Sequence, residues 1–174
     1  MKCAFIGSVG LPNKYGGFES FVDNCAPVIA AAGHDVIVTC DAAVYQDKSA
    51  LYKGVVRKFI GGRANGASSI LHDLLAFLSV FRQVDVVVIL GVSGGIWFPL
   101  FRLLADIFAV KIVVNIDGVE WRRDKFSRPK KLMLKFFDYL AQRFSHSIVY
   151  DSGALLSYVK PFARPKSACI KYSG

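Results

Sequence analysis

Apolar positions along this chain follow two alternating periods. Short apolar runs at Lys2–Ile6, residues 35–40, 85–90 and 111–116 predict strands, that over 85–90 buried on both faces. Residues 53–60, Ser147–Tyr150 and 167–172 predict three more. Between them, apolar residues three and four apart predict helices over 18–32, 70–82, 97–108 and 130–144, with a short one over 152–159. In the first helix Phe18, Phe21, Val22, Cys25, Ala26, Val28 and Ile29 share one side, and Gly33 stands where a helix terminates. Residues 61–69 (GGRANGASS) predict a mobile loop with nothing to pack, and 117–129 a charged loop.

About seven strands separated by helices predict an α/β fold: a Rossmann-like, doubly wound, mainly parallel sheet with helices on both faces. No repeat, low-complexity tract or linker divides the 174 residues, so they form a single domain. The chain stops just past a strand, which predicts that a C-terminal half is missing. A mean hydropathy of +0.40 agrees with a doubly buried sheet or an absent partner domain. In the most apolar stretch, 84–116, Asp85, Arg102, Asp106 and Lys111 interrupt any run long enough to span a bilayer. The N-terminus turns to glycine too early for a signal peptide. Cys3, Cys25, Cys40 and Cys169 lack metal-ligand spacing and predict reduced, packed thiols in a cytoplasmic domain.

Charge changes the picture. Twenty-two Lys and Arg against 13 Asp and Glu leave a net +9, which favours an anionic partner. Residues 120–143 concentrate it: Arg122, Arg123, Lys125, Arg128, Lys130, Lys131, Lys135 and Arg143 outnumber Glu120, Asp124 and Asp138. Leu132, Met133, Phe136, Phe137 and Leu140 recur among them at helical spacing. This pattern suits a basic amphipathic helix on an anionic membrane, or a helix packed on the sheet with a solvated rim. No nucleic-acid-binding signature accompanies it, and nucleic acid is not an expected partner.

Ligands of open α/β sheets sit beyond the carboxyl ends of the strands. Five segments would converge there: 7–19, Asp41, 91–95, 117–123 and 151–152. In the first, GSVGLPNKYGGFE, Gly16 and Gly17 precede a helix, so backbone N–H groups could meet a phosphate; an ordinary turn is the alternative. The spacing is neither that of a dinucleotide fingerprint nor of a P-loop. Glu19 suits the helix dipole, or a ligand hydroxyl. Ser93 and Gly94 lie in a second close-approach loop. In NIDGVEWRR, Asp117 ends a strand, followed by Gly118, Glu120, Trp121, Arg122 and Arg123; a carboxylate, an aromatic face and two guanidinium groups suit a sugar and a phosphate. His34 and His146 have no expected role beyond structure and surface, while His72 heads a helix near the cleft. No metal-ligand constellation is present.

The order of IGSVG, YGGFE, GHDVIV, DGVEWRR and Asp151-Ser152 resembles the opening of family 4 glycosyltransferases of the GT-B fold, in particular a bacterial subgroup of rhamnosyltransferases of surface polysaccharide synthesis. The resemblance spans nearly the whole chain. It implies an N-terminal, acceptor-side domain over 1–174, with a nucleotide-sugar-binding C-terminal domain outside this chain. It implies a retaining, metal-independent transfer from a nucleotide-sugar co-substrate, without a cofactor, to a saccharide or lipid-linked acceptor at the inner face of the membrane. Gly16 and Gly17 would approach the donor diphosphate. Asp117, where many relatives carry histidine, would be catalytic, and Tyr15, Glu19, Ser93, Gly94, Glu120, Trp121, Arg122 and Arg123 would hold the acceptor or sugar. The competing expectation is a stand-alone Rossmann-like nucleotide-binding module without transferase activity.

Overall fold

The computed structural model describes residues 1–171 apart from 15, 65, 67, 117–119, 123 and 125, with Glu120 described by its backbone. The elements run β1 (Lys2–Ile6), α1 (Gly17–Ala31), β2 (Asp35–Asp41), β3 (Leu51–Tyr52), β4 (Val55–Ile60), α2 (Ser69–Val80), β5 (Val86–Leu90), α3 (Phe98–Ile107), β6 (Lys111–Asn115), α4 (Arg128–Phe144), β7 (Ser147–Tyr150) and β8 (Ser167–Cys169). One eight-stranded sheet has the order β3-β4-β2-β1-β5-β6-β7-β8. All described pairs are parallel except β3 with β4.

The count is one more than the periodicity predicts. The extra strand, Leu51–Tyr52, is only two residues long and pairs antiparallel through Leu51–Val56 and Tyr52–Val55. Such a short hairpin arm leaves no alternation to detect. The segment over 152–159 is a 3-10 turn, Gly153–Ser157, and a further 3-10 turn, Glu120–Arg122, interrupts the charged loop. The tract 61–69 does contain something that packs: Ala64 is buried, and its N–H donates to Asp41 Oδ2 at 2.9 Å.

Alternate residues of the central strands supply two cores. Cys3, Phe5, Val36 and Val38 pack beneath α1 with Val22 and Ala26. Ala4, Ile6, Val87, Ile89, Ile112 and Val114 face the layer of α2, α3 and α4. In that layer Phe77 stacks on Phe101 at 4.1 Å and on Phe81 at 5.5 Å, which locks α2 to α3. Full burial of each such ring contributes about 1.5–3 kcal/mol.

The chain moves from β1 to β2 on one side and later returns to β5 on the other. The carboxyl ends of β1 and β5 therefore bound a topological switch point, the place where such sheets open a crevice.

Candidate functional site

The turn between β1 and α1 forms the crevice floor. Gly7 (φ +90°) and Gly10 (φ +115°) adopt backbone that L side chains rarely enter. A Cβ on Gly7 would lie 2.5 Å from Leu90 O, and one on Gly10 2.6 Å from Cys40 Sγ, so the turn is pressed against both neighbouring strands.

Buried polar groups hold it there. Val9 N–H donates to Glu19 Oε1 at 2.7 Å, and Glu19 is only 5% exposed. Arg57, equally buried, donates to Leu11 O at 3.1 Å, Ser49 O at 2.8 Å and Asp47 Oδ2 at 2.8 Å. The bonds from Ser49 and Arg57 hold the Asp47 carboxyl down at about 2. Tyr45 OH donates to Pro12 O at 2.8 Å, and burial pushes that phenol upward. Asn13 N–H reaches Asp23 Oδ2 at 3.0 Å.

Helix α1 opens on this turn. Gly16 is extended at φ −158°, no described side chain caps the helix, and Gly17 is exposed. A helix of this length leaves backbone donors at its start, oriented for an anion. The ring of Phe18 would lie 3.2 Å from a Cβ on Gly91, so the N-terminus of α1 sits over the β5 end of the crevice.

Ser93 and Gly94, in the loop after β5, pack against α2. Ser93 Oγ donates to Asp73 Oδ2 at 2.8 Å, and a Cβ on Gly94 would meet the Asp73 side chain at 2.7 Å. Asp73 is buried, as is His72 beside it, whose Nδ1 lies 4.0 Å from Asp73 Oδ1 and whose ring nitrogens have no hydrogen-bond partner among the described residues.

Trp121 and Arg122 are engaged within the chain. Trp121 meets Tyr158 edge-on at 6.1 Å, and Lys135 Nζ lies 5.4 Å from its ring centre. Arg122 donates to Tyr158 OH and stacks on its ring at 5.7 Å. Below them Asp138 is buried; desolvation raises its pKa, opposed by hydrogen bonds from Gln142 and Trp121 and by Lys160. Gln142 ties α4 to the following segment: Nε2 donates to Asp138 Oδ1 at 2.9 Å and to Tyr158 O at 3.2 Å, while Oε1 accepts from Lys160 N–H at 2.8 Å.

Among the sequence-predicted residues, Gly16, Gly17 and Glu19 follow the carboxyl end of β1, and Ser93 and Gly94 follow that of β5. Glu19 is turned inward and occupied by Val9, so it braces the turn. Asp41 is likewise internal: its carboxylate accepts from Ala43 N–H at 2.8 Å and from Ala64 N–H. Tyr15, Asp117 and Arg123 lie outside the described residues, and the Glu120 side chain is not described. His146 is no surface residue: Nδ1 accepts from Ile112 N–H at 3.0 Å, Nε2 pairs with Asp106 at 3.1 Å, and burial lowers its pKa. Of the four thiols, Cys3 and Cys40 are buried while Cys169 is exposed. Burial raises Cys25 to about 11.

Asp73, Gln142 and Arg57 escaped the sequence reading because they sit inside apolar stretches and find partners across the fold, while Asp138 entered it only as a charge on its helix. Among the described residues, no group of three or more His, Cys, Asp or Glu could hold a metal ion. No described helix is long and apolar enough to cross a membrane.

One protein-family profile, described as "Domain of unknown function (DUF1972)", matches residues 1–174. No curated protein matches the chain. Two solved structures share the fold. Sucrose-phosphate synthase from Thermosynechococcus elongatus superimposes with a TM-score of 0.71 at 13% identity, covering 98% of this chain and 47% of that one. HepE from Anabaena, in complex with UDP and glucose, gives 0.61 at 16% identity, covering 100% and 45%. The chain thus spans just under half the length of each, and its fold is that of a GT-B glycosyltransferase domain.

Proposed function

The chain belongs to the DUF1972 family, and we propose that it is the acceptor-side half of a GT-B glycosyltransferase. The reaction moves a sugar from a nucleotide-sugar to a saccharide or lipid-linked acceptor. The observation that carries this reading is the β1–α1 turn: a glycine-lined backbone, fixed by buried polar groups, leads at the switch point into a helix that no described side chain caps. Its chemistry suits the diphosphate of a nucleotide-sugar, and HepE, which shares the fold, was solved with UDP and glucose.

In this reading Gly16 and Gly17 let the donor diphosphate approach the α1 N-terminus. Preorganised N–H groups stabilise charge without reorganising during reaction, so they favour departure of the nucleotide diphosphate. Asp117 stands two residues beyond β6 in the chain and is assigned the catalytic role: it stabilises positive charge at the anomeric carbon. Tyr15, Ser93, Gly94, Glu120, Trp121, Arg122 and Arg123 are assigned to acceptor or sugar binding. Glu19 contributes by holding the turn.

The sequence resemblance alone supports rhamnose as the sugar, retention without a metal ion, and a role in bacterial surface polysaccharide synthesis at the inner face of the membrane. A peripheral contact with anionic lipid belongs to the same reading.

The test uses Asp117→Asn in the protein that joins this chain to its donor-binding half. Transfer of labelled sugar should fall ten- to a thousandfold, about 1.4–4 kcal/mol of transition-state stabilisation. Wild-type turnover in the variant would remove Asp117 from the mechanism. A wild-type protein that binds nucleotides but transfers no sugar would favour a plain nucleotide-binding module.

A further inference from the structure

A buried polar cluster joins the loop after β5 to the start of α2. Asp73 and His72 are 2% and 1% exposed. Among the described residues the Asp73 carboxylate accepts one hydrogen bond, from Ser93 Oγ at 2.8 Å. The His72 ring fills the far side without bonding, its Nδ1 standing 4.0 Å from Asp73 Oδ1, and so leaves Ser93 as the carboxylate's single donor. A carboxylate has room for about four donors, so a group this deep and this thinly bonded is costly to bury.

Anchorage of the loop does not account for that cost. Trp97 Nε1 already donates to Ile70 O at 2.9 Å, which ties the far end of the loop to the opening turn of α2. A Cβ on Gly95 would meet Phe137 O at 2.5 Å, so the loop also rests on α4. Gly91 N–H donates to Asn115 O at 2.9 Å, at the end of β6. A Cβ on Gly94 would lie 2.7 Å from Asp73 Cβ, an approach that glycine permits. The backbone around Ser93 is therefore fixed against α2, α4 and β6, with its side chain half-buried beyond the carboxyl end of β5.

A serine hydroxyl has one proton and two lone pairs. The Ser93 proton is committed to Asp73, so Oγ offers a ligand lone pairs alone. A group that meets it must donate a hydrogen: a sugar hydroxyl does, a phosphate oxygen does not. The Asp73 carboxylate behind Ser93 adds like-charge repulsion against a phosphate. The start of α1 has the opposite sense, since its backbone N–H groups suit an anion. Phe18, in that first turn, lies against Gly91 at the head of the β5 loop. We propose that Asp73 is a positioning residue: it holds Ser93 as a hydrogen-bond acceptor, so that the loop after β5 takes a sugar hydroxyl and rejects phosphate. The proposal rests on the glycosyltransferase reading for the ligand's being a sugar; the sorting of hydroxyl to one loop and anion to the other is its own.

The test is a titration of the isotope-labelled chain, followed through its backbone amide resonances, with glucose, UDP and inorganic pyrophosphate as separate probes. Glucose should move the amides of Ser93, Gly94 and Gly95. UDP and pyrophosphate should move those of Gly16 and Gly17 and leave Ser93 in place. Ser93→Ala and Asp73→Ala should each weaken glucose binding about tenfold or more. On the Ser93→Ala background, Asp73→Ala should cost nothing further, because Asp73 acts through Ser93; a carboxylate that merely braces the fold would cost the same on both backgrounds. Asp73→Ala also frees the Ser93 proton, so pyrophosphate should then move the Ser93 amide. Asp73→Leu keeps the packed volume and accepts no proton, and it carries the same comparison if circular dichroism shows the alanine variant unfolded. Loop amides unmoved by glucose, wild-type glucose affinity in the folded Ser93→Ala chain, an additive loss in the double variant, or pyrophosphate at Ser93 of the wild-type chain would each overturn the proposal. Transfer is not read in this titration. Glucose bound at the loop of a protein that transfers no sugar would refute the transferase reading alone, and transfer with unmoved loop amides would refute this proposal alone.

Discussion

Replacing Glu19 by alanine tests whether the β1–α1 turn is held from inside. The carboxylate is 5% exposed and accepts the buried Val9 N–H at 2.7 Å, a charge-assisted bond. Removing it leaves that N–H without a partner, at a cost of about 1–3 kcal/mol. Loss of the packed methylenes adds roughly 1 kcal/mol. A combined loss of about 3 kcal/mol should lower the melting temperature by roughly 6–12 °C in a chain of this size. Glu19→Gln keeps a carbonyl oxygen at the same place and should cost about 1 kcal/mol, or roughly 2–4 °C. Thermal unfolding followed by circular dichroism reads both. An alanine variant melting within a degree of the wild type would show that Glu19 does not brace the turn, and its side chain would return to consideration as a ligand group.

Three further outcomes follow from the same geometry. A Cβ on Gly95 would meet the Phe137 backbone and Cβ at 2.4–2.6 Å, so Gly95→Ala should destabilise by about 1–3 kcal/mol, seen as a lower denaturation midpoint at unchanged m-value. Burial raises the Asp138 carboxyl above its ordinary 3.8, so the fold holds that proton longer than the unfolded chain and loses stability as pH rises through the folded value. Asp138→Asn should therefore gain stability relative to wild type between pH 4 and pH 7, and urea titrations giving the same difference at both pH values would contradict this. His146 shifts the other way: burial holds it below 6.5, so its contribution is present above that pH and is lost as pH falls through the folded value. His146→Gln should flatten the decline below about pH 6.5, and an unchanged slope would remove His146 from it.

Those groups also mark where sequence reasoning reached and where it stopped. The parallel strands were legible because runs such as Val86–Leu90, buried against helices, leave no polar alternation to confuse with a surface strand. Gly33 marked the end of α1 because only glycine readily takes φ +86° there. The crevice was legible as a place, since chemistry-bearing loops recur at the carboxyl ends of strands whatever the chain does elsewhere. The division of labour within it was not. Glu19 and Asp41 look from sequence like carboxylates offered to a ligand, yet each closes a loop by accepting backbone N–H groups. Ser93 meets Asp73 across 20 residues and Arg57 meets Leu11 across 46, contacts that no local periodicity encodes. The outer leucines of α2 were absorbed into an ordinary helix pattern, because a single helix does not reveal which of its apolar sides the sheet will cover.

In the proposed function a nucleotide-sugar diphosphate meets backbone at Gly16 and Gly17. The most direct measurement is transfer of labelled sugar by the protein joining this chain to its donor-binding half, with and without Gly17→Val. Gly17 is exposed at the first turn of α1, so the added side chain meets the ligand rather than the core. A folded variant whose turnover falls at least a hundredfold, about 2.7 kcal/mol, is the result expected. A folded variant with wild-type turnover would contradict it and leave the two glycines as an ordinary strand-to-helix turn.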